Sequence, residues 1–215
     1  MQLLYRIYNK VSPWFRRKRM RWFKETFPMN SATRLLDVGG YAFTWKGQGV
    51  PARITLLNPH VISDPRYYDA RYEFVVGDGC ALQYADQSWE VLYSNSVIEH
   101  LATWEKQQAF AAECRRVGRN LWIQTPALEF PIEPHFLMPF FHFLPNKWRK
   151  RLARHFTPWG WLSRASKASS EAMVDEIRLL KEAEMKLLFP DCEIRRERLL
   201  GLTKSYVAVR KCLDK

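Results

Sequence analysis

Cysteine is sparse and poorly placed for a structural role: Cys80, Cys114, Cys192 and Cys212 stand far apart, with no CxxC pair. That spacing argues against a zinc site and against a disulfide framework, and the four are expected as buried free thiols. A long apolar run is also missing. The longest, Phe136 to Leu144, is broken by Pro139 and falls short of the roughly 18–20 residues that a spanning helix needs. Met1 to Tyr8 is interrupted by Arg6 and has neither the apolar core nor the small-residue cleavage site of a secretory signal, so a cytoplasmic protein is expected. The chain has no GxGxxG, which disfavours a nicotinamide or flavin site. No internal repeat or low-complexity tract is visible.

Acidic residues are absent from two segments. Residues 1–24 hold eight basic side chains and no acid, and residues 146–167 hold seven and none; without them the chain carries 19 basic against 22 acidic side chains. The net charge of +12 is therefore concentrated in two places on a nearly neutral body. Both segments interleave the charges with aromatics such as Trp14, Phe15, Trp22, Trp148, Trp159 and Trp161, a pattern suited to an anionic lipid surface at the inner membrane face. A helix docked on its own domain and a nucleic-acid contact are the alternatives for the first segment.

With 47% hydrophobic and 26% charged residues, the 215-residue chain has enough apolar content for one globular core. The opening reads as a short amphipathic helix broken at Ser12-Pro13, followed by a basic helical stretch. From Thr33 the pattern changes to short apolar runs ended by turn residues. Strands are expected at Arg34 to Val38, Arg53 to Leu57, Tyr72 to Val76, Glu90 to Ser94 and Asn120 to Gln124. Their alternation with helix-sized segments indicates a parallel sheet with helical crossovers. The clearest helix runs from Glu99 to Val117 and is stopped by Gly118. Thr125 to Trp161, crowded with proline and aromatics, is expected as a lid of short helices. A further helix should run from Ser169-Ser170-Glu171 to about Leu188, stopped by Pro190, and Glu193 to Leu199 with Ser205 to Arg210 should form a closing pair of strands.

The first strand, Arg34-Leu35-Leu36-Asp37-Val38, ends in an acid and runs into Gly39-Gly40-Tyr41. Glycine there lets the backbone approach a ligand at the carboxyl edge of a doubly wound sheet. The second strand ends Thr55-Leu56-Leu57-Asn58, the third is followed by Gly77-Asp78-Gly79-Cys80, and the fourth runs Trp89-Glu90-Val91-Leu92-Tyr93-Ser94-Asn95-Ser96-Val97-Ile98-Glu99-His100-Leu101. In that order and spacing the run resembles the class I S-adenosylmethionine-dependent methyltransferases, in particular the type 11-like subgroup acting on small molecules, lipids and glycans.

The resemblance implies an α/β fold: a Rossmann-like, doubly wound, mainly parallel seven-stranded sheet with an antiparallel last strand. N-terminal basic helices and a helical lid would complete it. Residues 1–30 would be a basic helical segment, and residues 31–215 the methyltransferase domain, with the lid inserted at about 126–168. It also implies that Asp37, Gly39, Gly40 and Tyr41 hold the amino-acid end of S-adenosylmethionine. Asn58 falls where the family usually has a ribose-binding acid, and Tyr41 and Phe43 stand where it commonly has glycines. Asp78, Gly79 and Cys80 would contact the adenine, and Ser94 and Asn95 would line the floor below the methionine. S-adenosylhomocysteine would be the product.

The lid holds Phe130-Pro131-Ile132-Glu133-Pro134-His135-Phe136. His135 has the pKa range of a general base at neutral pH and Glu133 could orient it, with His100 a second candidate. No His or Cys cluster with ligand spacing is visible, so no metal is expected. The family's nucleobase amino methyltransferases usually carry an Asp/Asn-Pro-Pro-aromatic stretch after the fourth strand. Ser94-Asn95-Ser96-Val97 lacks it, which favours a small, lipid-linked or saccharide acceptor with methylation at oxygen or nitrogen. A noncatalytic cofactor-binding or scaffold protein and an RNA methyltransferase are the alternatives.

Overall fold

The computed structural model describes residues 2–61 and 69–212, with side chains described from residue 14 onward. Five apolar runs form parallel strands: β1 (Arg34–Val38), β2 (Arg53–Asn58), β3 (Tyr72–Val76), β4 (Trp89–Asn95) and β5 (Gly118–Pro126). A two-stranded hairpin, β6 (Ile132–Glu133) and β7 (Met138–Pro139), stands apart. The chain ends in β8 (Glu193–Leu199) and β9 (Leu202–Arg210), and β9 pairs antiparallel with both β5 and β8. The main sheet has seven strands in the order β3-β2-β1-β4-β5-β9-β8. This is the doubly wound arrangement expected from the alternation of strands and crossovers, with β9 reversed.

Period-two alternation sends neighbouring residues to opposite faces of the sheet, so Leu36, Leu92, Leu121 and Ile123 pack in one core and Leu35, Val91 and Trp122 in another. The first core is closed by Phe110, Cys114 and Val117 of α3 (Trp104–Val117), with Met185 and Leu188 from a helix near the C-terminus. The second is closed by Met20 and Phe23 of α1 (Gln2–Thr26), by Phe27 just beyond it, and by Trp45 of α2 (Ala42–Trp45). Phe15, Arg19, Phe23 and Phe27 recur every fourth residue, which places them on one stripe of the helix, and all four are buried. Full burial of a side chain like Phe23 is worth about 1.5–3 kcal/mol.

Four expectations are corrected here. The N-terminal segment is one 25-residue helix rather than two, running through Ser12-Pro13. Proline removes one helical hydrogen bond, but the packing of the following turns holds the helix together. The helix expected from Glu99 instead starts at Trp104, capped by Thr103, whose side chain accepts from the Lys106 amide. Glu99 and His100 lie in a separate 3-10 turn (Ile98–His100), because Ala102 has a positive φ of 59° that interrupts the helix. The helix expected to reach Leu188 is split into α6 (Lys167–Glu176) and α7 (Glu182–Leu188). Between them the backbone is extended, and the Leu128 amide donates to the Leu180 carbonyl.

The lid region opens with the β6–β7 hairpin rather than a helix, since Pro131, Pro134 and Pro139 disrupt helical bonding there. It continues into α4 (Asn146–Phe156) and α5 (Pro158–Ser163). With α6 these helices enclose a third core around Phe136, Phe141, Ala153, Val174 and Ile177. Among the described residues, no helix is long and apolar enough to cross a membrane.

Candidate functional site

At the carboxyl edge of β1 the chain makes a tight turn. Gly39 has a φ of +81° and its amide donates to the Leu57 carbonyl at 2.7 Å. A side chain on Gly40 would strike the Asp37 carboxylate, since an ideal Cβ there lies 1.6 Å from Oδ2. Asp37 is buried, with Oδ2 accepting from Trp45 Nε1 at 2.7 Å, while Oδ1 has no partner among the described residues. Burial pushes its carboxyl up to about 7, against the opposing pull of the Trp45 hydrogen bond. Beside it opens a cleft of about 500 Å³, lined by Asp37, Gly39, Gly40, Tyr41, Asn95 and Ser96, with Arg16 and Arg17 contributed by α1. Tyr41 and Phe43 also line this cleft; their rings stack at 5.6 Å, half-exposed, so they do not fill the turn.

A second, larger cleft of about 730 Å³ adjoins the first, and the two share Arg16, Arg19, Asn95 and Ser96. Its wall is mostly apolar, with Phe15, Phe130, Ile132, Leu137 and Leu200, and its polar groups include His100, His135 and Lys204. Burial, aided by the charges of Arg19 and Arg16, draws the Lys204 ammonium down to about 8, although Glu197 opposes this.

The two imidazoles meet edge to face with centroids 4.7 Å apart. His135 Nδ1 is bonded to Glu133 Oε1 at 2.7 Å, and the other Glu133 oxygen accepts from the Phe136 amide at 2.5 Å. His100 Nδ1 is bonded to Glu176 Oε1 at 2.8 Å. Burial lowers the His135 pKa, but the hydrogen bond and charge of Glu133, with the charges of Glu99 and Glu176, outweigh that effect and the net shift is upward. Glu99 is fully buried: Oε2 accepts from Thr125 Oγ1 at 3.0 Å, and Oε1 has no partner among the described residues.

Residues 50–120 match the family described as a methyltransferase domain. Among solved structures, 1,6-didemethyltoxoflavin-N1-methyltransferase of Burkholderia thailandensis is similar at a TM-score of 0.55 and 11% identity, over 94% of this chain and 81% of that one. Phosphoethanolamine N-methyltransferase 2 of Haemonchus contortus, solved with S-adenosyl-L-methionine, is similar at a TM-score of 0.52 and 13% identity, over 85% of this chain. The chain spans only 38% of that enzyme's length. No curated protein matches it. The fold is that of the class I methyltransferases.

On this methyltransferase fold, Asp37, Gly39, Gly40, Tyr41 and Asn95 come together around the smaller cleft. His100 and His135 come together in the larger one, with Glu133 behind His135. Asn58 is the last residue of β2, and Asp78, Gly79 and Cys80 follow β3; none of the four lines either cleft. Asn58 Nδ2 donates to the Gly40 carbonyl at 2.7 Å, a bond that a carboxylate in its place could not make. Asp78 Oδ1 accepts from the Cys80 amide at 2.8 Å and shapes that turn. Ser94 is buried and donates to the Val38 carbonyl at 2.9 Å, tying β4 to β1.

The residue that sequence reasoning missed is Arg19. It was grouped with the surface charges of the basic run, yet it is buried and makes two bonds to Glu197, at 3.1 Å and 2.8 Å, one to Gln124 at 3.0 Å and one to Asn95. The spacing of four from Phe15 and to Phe23 was the available signal.

Proposed function

We propose that this chain is an S-adenosylmethionine-dependent methyltransferase acting on an oxygen or nitrogen of a small acceptor with an apolar body, a lipid-linked compound fitting better than a saccharide. The carrying observation is the pair of clefts that meet at Asn95 and Ser96, one built around a glycine turn and a buried carboxylate, the other apolar with two imidazoles. The cofactor supplies the methyl group on a sulfonium centre. The residues present fit it: the unpartnered oxygen of Asp37 suits its ammonium, the Gly39-Gly40 turn leaves room for close backbone approach, and Arg16 and Arg17 suit its carboxylate. The ribose and adenine would extend beyond the smaller cleft to the carboxyl ends of β2 and β3, where Asn58 and the Asp78-Gly79-Cys80 turn lie.

Because a sulfonium methyl is already electrophilic, the protein's work is to align two reactants and exclude water. Asn95 and Ser96 form the border at which donor and acceptor meet. A weakly acidic hydroxyl must also lose its proton, and the corner formed by His100 and His135 receives it, with Glu133 fixing the His135 ring. Calorimetry on the full chain with S-adenosylmethionine and S-adenosylhomocysteine tests the reading. Absence of heat at millimolar ligand overturns it. Given binding, His135→Gln should lower turnover by about a hundredfold while leaving cofactor affinity unchanged.

A second reading concerns where the chain works. On the lid, Trp148, Phe156, Trp161 and Leu162 are each about half exposed, beside exposed Lys147, Arg151 and Arg154. We propose that this surface meets the anionic inner face of a membrane, where each nearby Lys or Arg is worth about 1 kcal/mol. Sedimentation with acidic but not neutral liposomes is the expected result; binding to mixed RNA alone would replace this reading.

A further inference from the structure

The sequence shows no cluster of metal ligands, but the fold makes one. Glu99 and His100 come from the 3-10 turn after β4, and His135 from the turn of the β6–β7 hairpin. Each offers one ligand atom, and these atoms all lie within 4.8 Å of one another. We propose that these three residues hold one divalent transition-metal cation on the wall of the larger cleft, with its remaining coordination positions open to the acceptor.

Three observations carry this. The first is the unpartnered Oε1 of Glu99, on a carboxylate that is completely buried. A buried carboxylate oxygen left without a donor carries a desolvation cost that a bound cation offsets. The second is the way both imidazoles are held. Each uses Nδ1 to meet a carboxylate, Glu133 for His135 and Glu176 for His100, which leaves Nε2 of each ring as the ligating nitrogen. Metal-binding histidines are oriented in this manner by a carboxylate on the other nitrogen, which also raises ligand basicity. The third is the donor set. Two imidazoles and one carboxylate suit Zn²⁺, Fe²⁺ or Mn²⁺, whereas Mg²⁺ and Ca²⁺ favour oxygen alone, and three protein ligands leave positions for small molecules.

The metal site stands independently of the methyltransferase reading. Its consequence for the acceptor rests on that reading. An acceptor bearing a hydroxyl or a carboxylate would bind the cation through that oxygen, and ligation would lower the pKa of a hydroxyl. With both Nε2 atoms on the cation, the hydroxyl proton would pass to solvent, and His100 and His135 would act as proton acceptor only in the metal-free protein.

The test uses full-length, tag-free protein stripped with a chelator and titrated with Zn²⁺ by calorimetry, then with Co²⁺, whose visible absorption reports the ligand set. One equivalent of either ion should bind, with a Co²⁺ spectrum of nitrogen and oxygen ligation. Glu176→Gln, on a half-exposed side chain, should weaken binding by about 10- to 100-fold, and His100→Ala and His135→Ala by at least as much. Absence of stoichiometric binding by the wild-type chain overturns the proposal without any variant. So does a thiolate-type Co²⁺ spectrum, or unchanged affinity in a folded His100→Ala/His135→Ala double variant. Cofactor calorimetry on the same chelated sample keeps failure of the metal site separate from failure of the methyltransferase reading.

Discussion

Replacing Arg19 by methionine is the sharpest perturbation of the architecture that joins the two clefts. Arg19 and Glu197 are each only 6% exposed and are linked by two hydrogen bonds, so removing the guanidinium leaves a carboxylate buried without its main counter-charge. Breaking one half of such a pair costs about 3–5 kcal/mol. Two neighbours soften the loss. Ser205 Oγ continues to donate to Glu197, and the Lys204 ammonium, disfavoured by Arg19 and favoured by Glu197, is relieved of repulsion once Arg19 is gone. The expected loss is therefore at the lower end, about 3 kcal/mol. For a chain of this size each kcal/mol is worth roughly 2–4 °C, so the melting temperature should fall by about 6–12 °C. Urea denaturation of Arg19→Met, Glu197→Met and the double variant measures the coupling directly. The double variant should recover most of the loss, because no charge is then stranded. A single-variant loss below about 1 kcal/mol, or losses that simply add in the double variant, would refute the argument.

Asp37 gives a pH signature. Its folded-state carboxyl, pushed up to about 7 from 3.8, holds a proton that the unfolded chain has already released. Stability should therefore fall as pH rises from about 4 to 7, by at most roughly 4 kcal/mol, and Asp37→Asn should remove that component from urea denaturation curves. A variant with the same pH slope as wild type would contradict it. Gly40→Ala should cost about 1–3 kcal/mol or more and weaken cofactor binding, because Trp45 pins the carboxylate that the new methyl would strike; wild-type melting and calorimetry in that variant would show that the turn can open. Asp78→Ala should weaken cofactor binding by roughly 1.5–3 kcal/mol, the worth of a charged hydrogen bond, and an unchanged dissociation constant would displace the adenine from that turn.

The five parallel strands were legible because each is an apolar run closed by turn residues: Arg34 to Val38 and Tyr72 to Val76 have their expected bounds, and the other three are longer by one to four residues. Helix ends were less so. Nothing in Glu99-His100-Leu101-Ala102 announces the left-handed residue that separates the turn from α3, and Leu179-Leu180 reads as more helix although a bridge to Ala127 and the bond from the Leu128 amide hold it extended. The smaller cleft was partly visible in Asp37 and its glycines, since those residues are neighbours in the chain. The pairing of His100 with His135 was not, because it depends on the hairpin folding back over the edge of the sheet. Arg19 was hidden by its company, a long-range partner 178 residues away being invisible to local pattern.

Arg16 and Arg19 of α1 border both clefts, while the stretch from Pro28 to Ala32, exposed except for half-buried Met29, is the covalent link between that helix and β1. Chain continuity there contributes proximity and little else. A chain severed in that stretch would be two complementary pieces, one carrying Arg19 and Phe23 and the other Glu197 and Gln124, which meet Arg19, with Trp122 and Tyr93, which receive Phe23. Ligand binding would then become concentration-dependent, restored by adding the short piece in excess and lost on dilution, so that the site behaves as a property of an encounter rather than of a single fold.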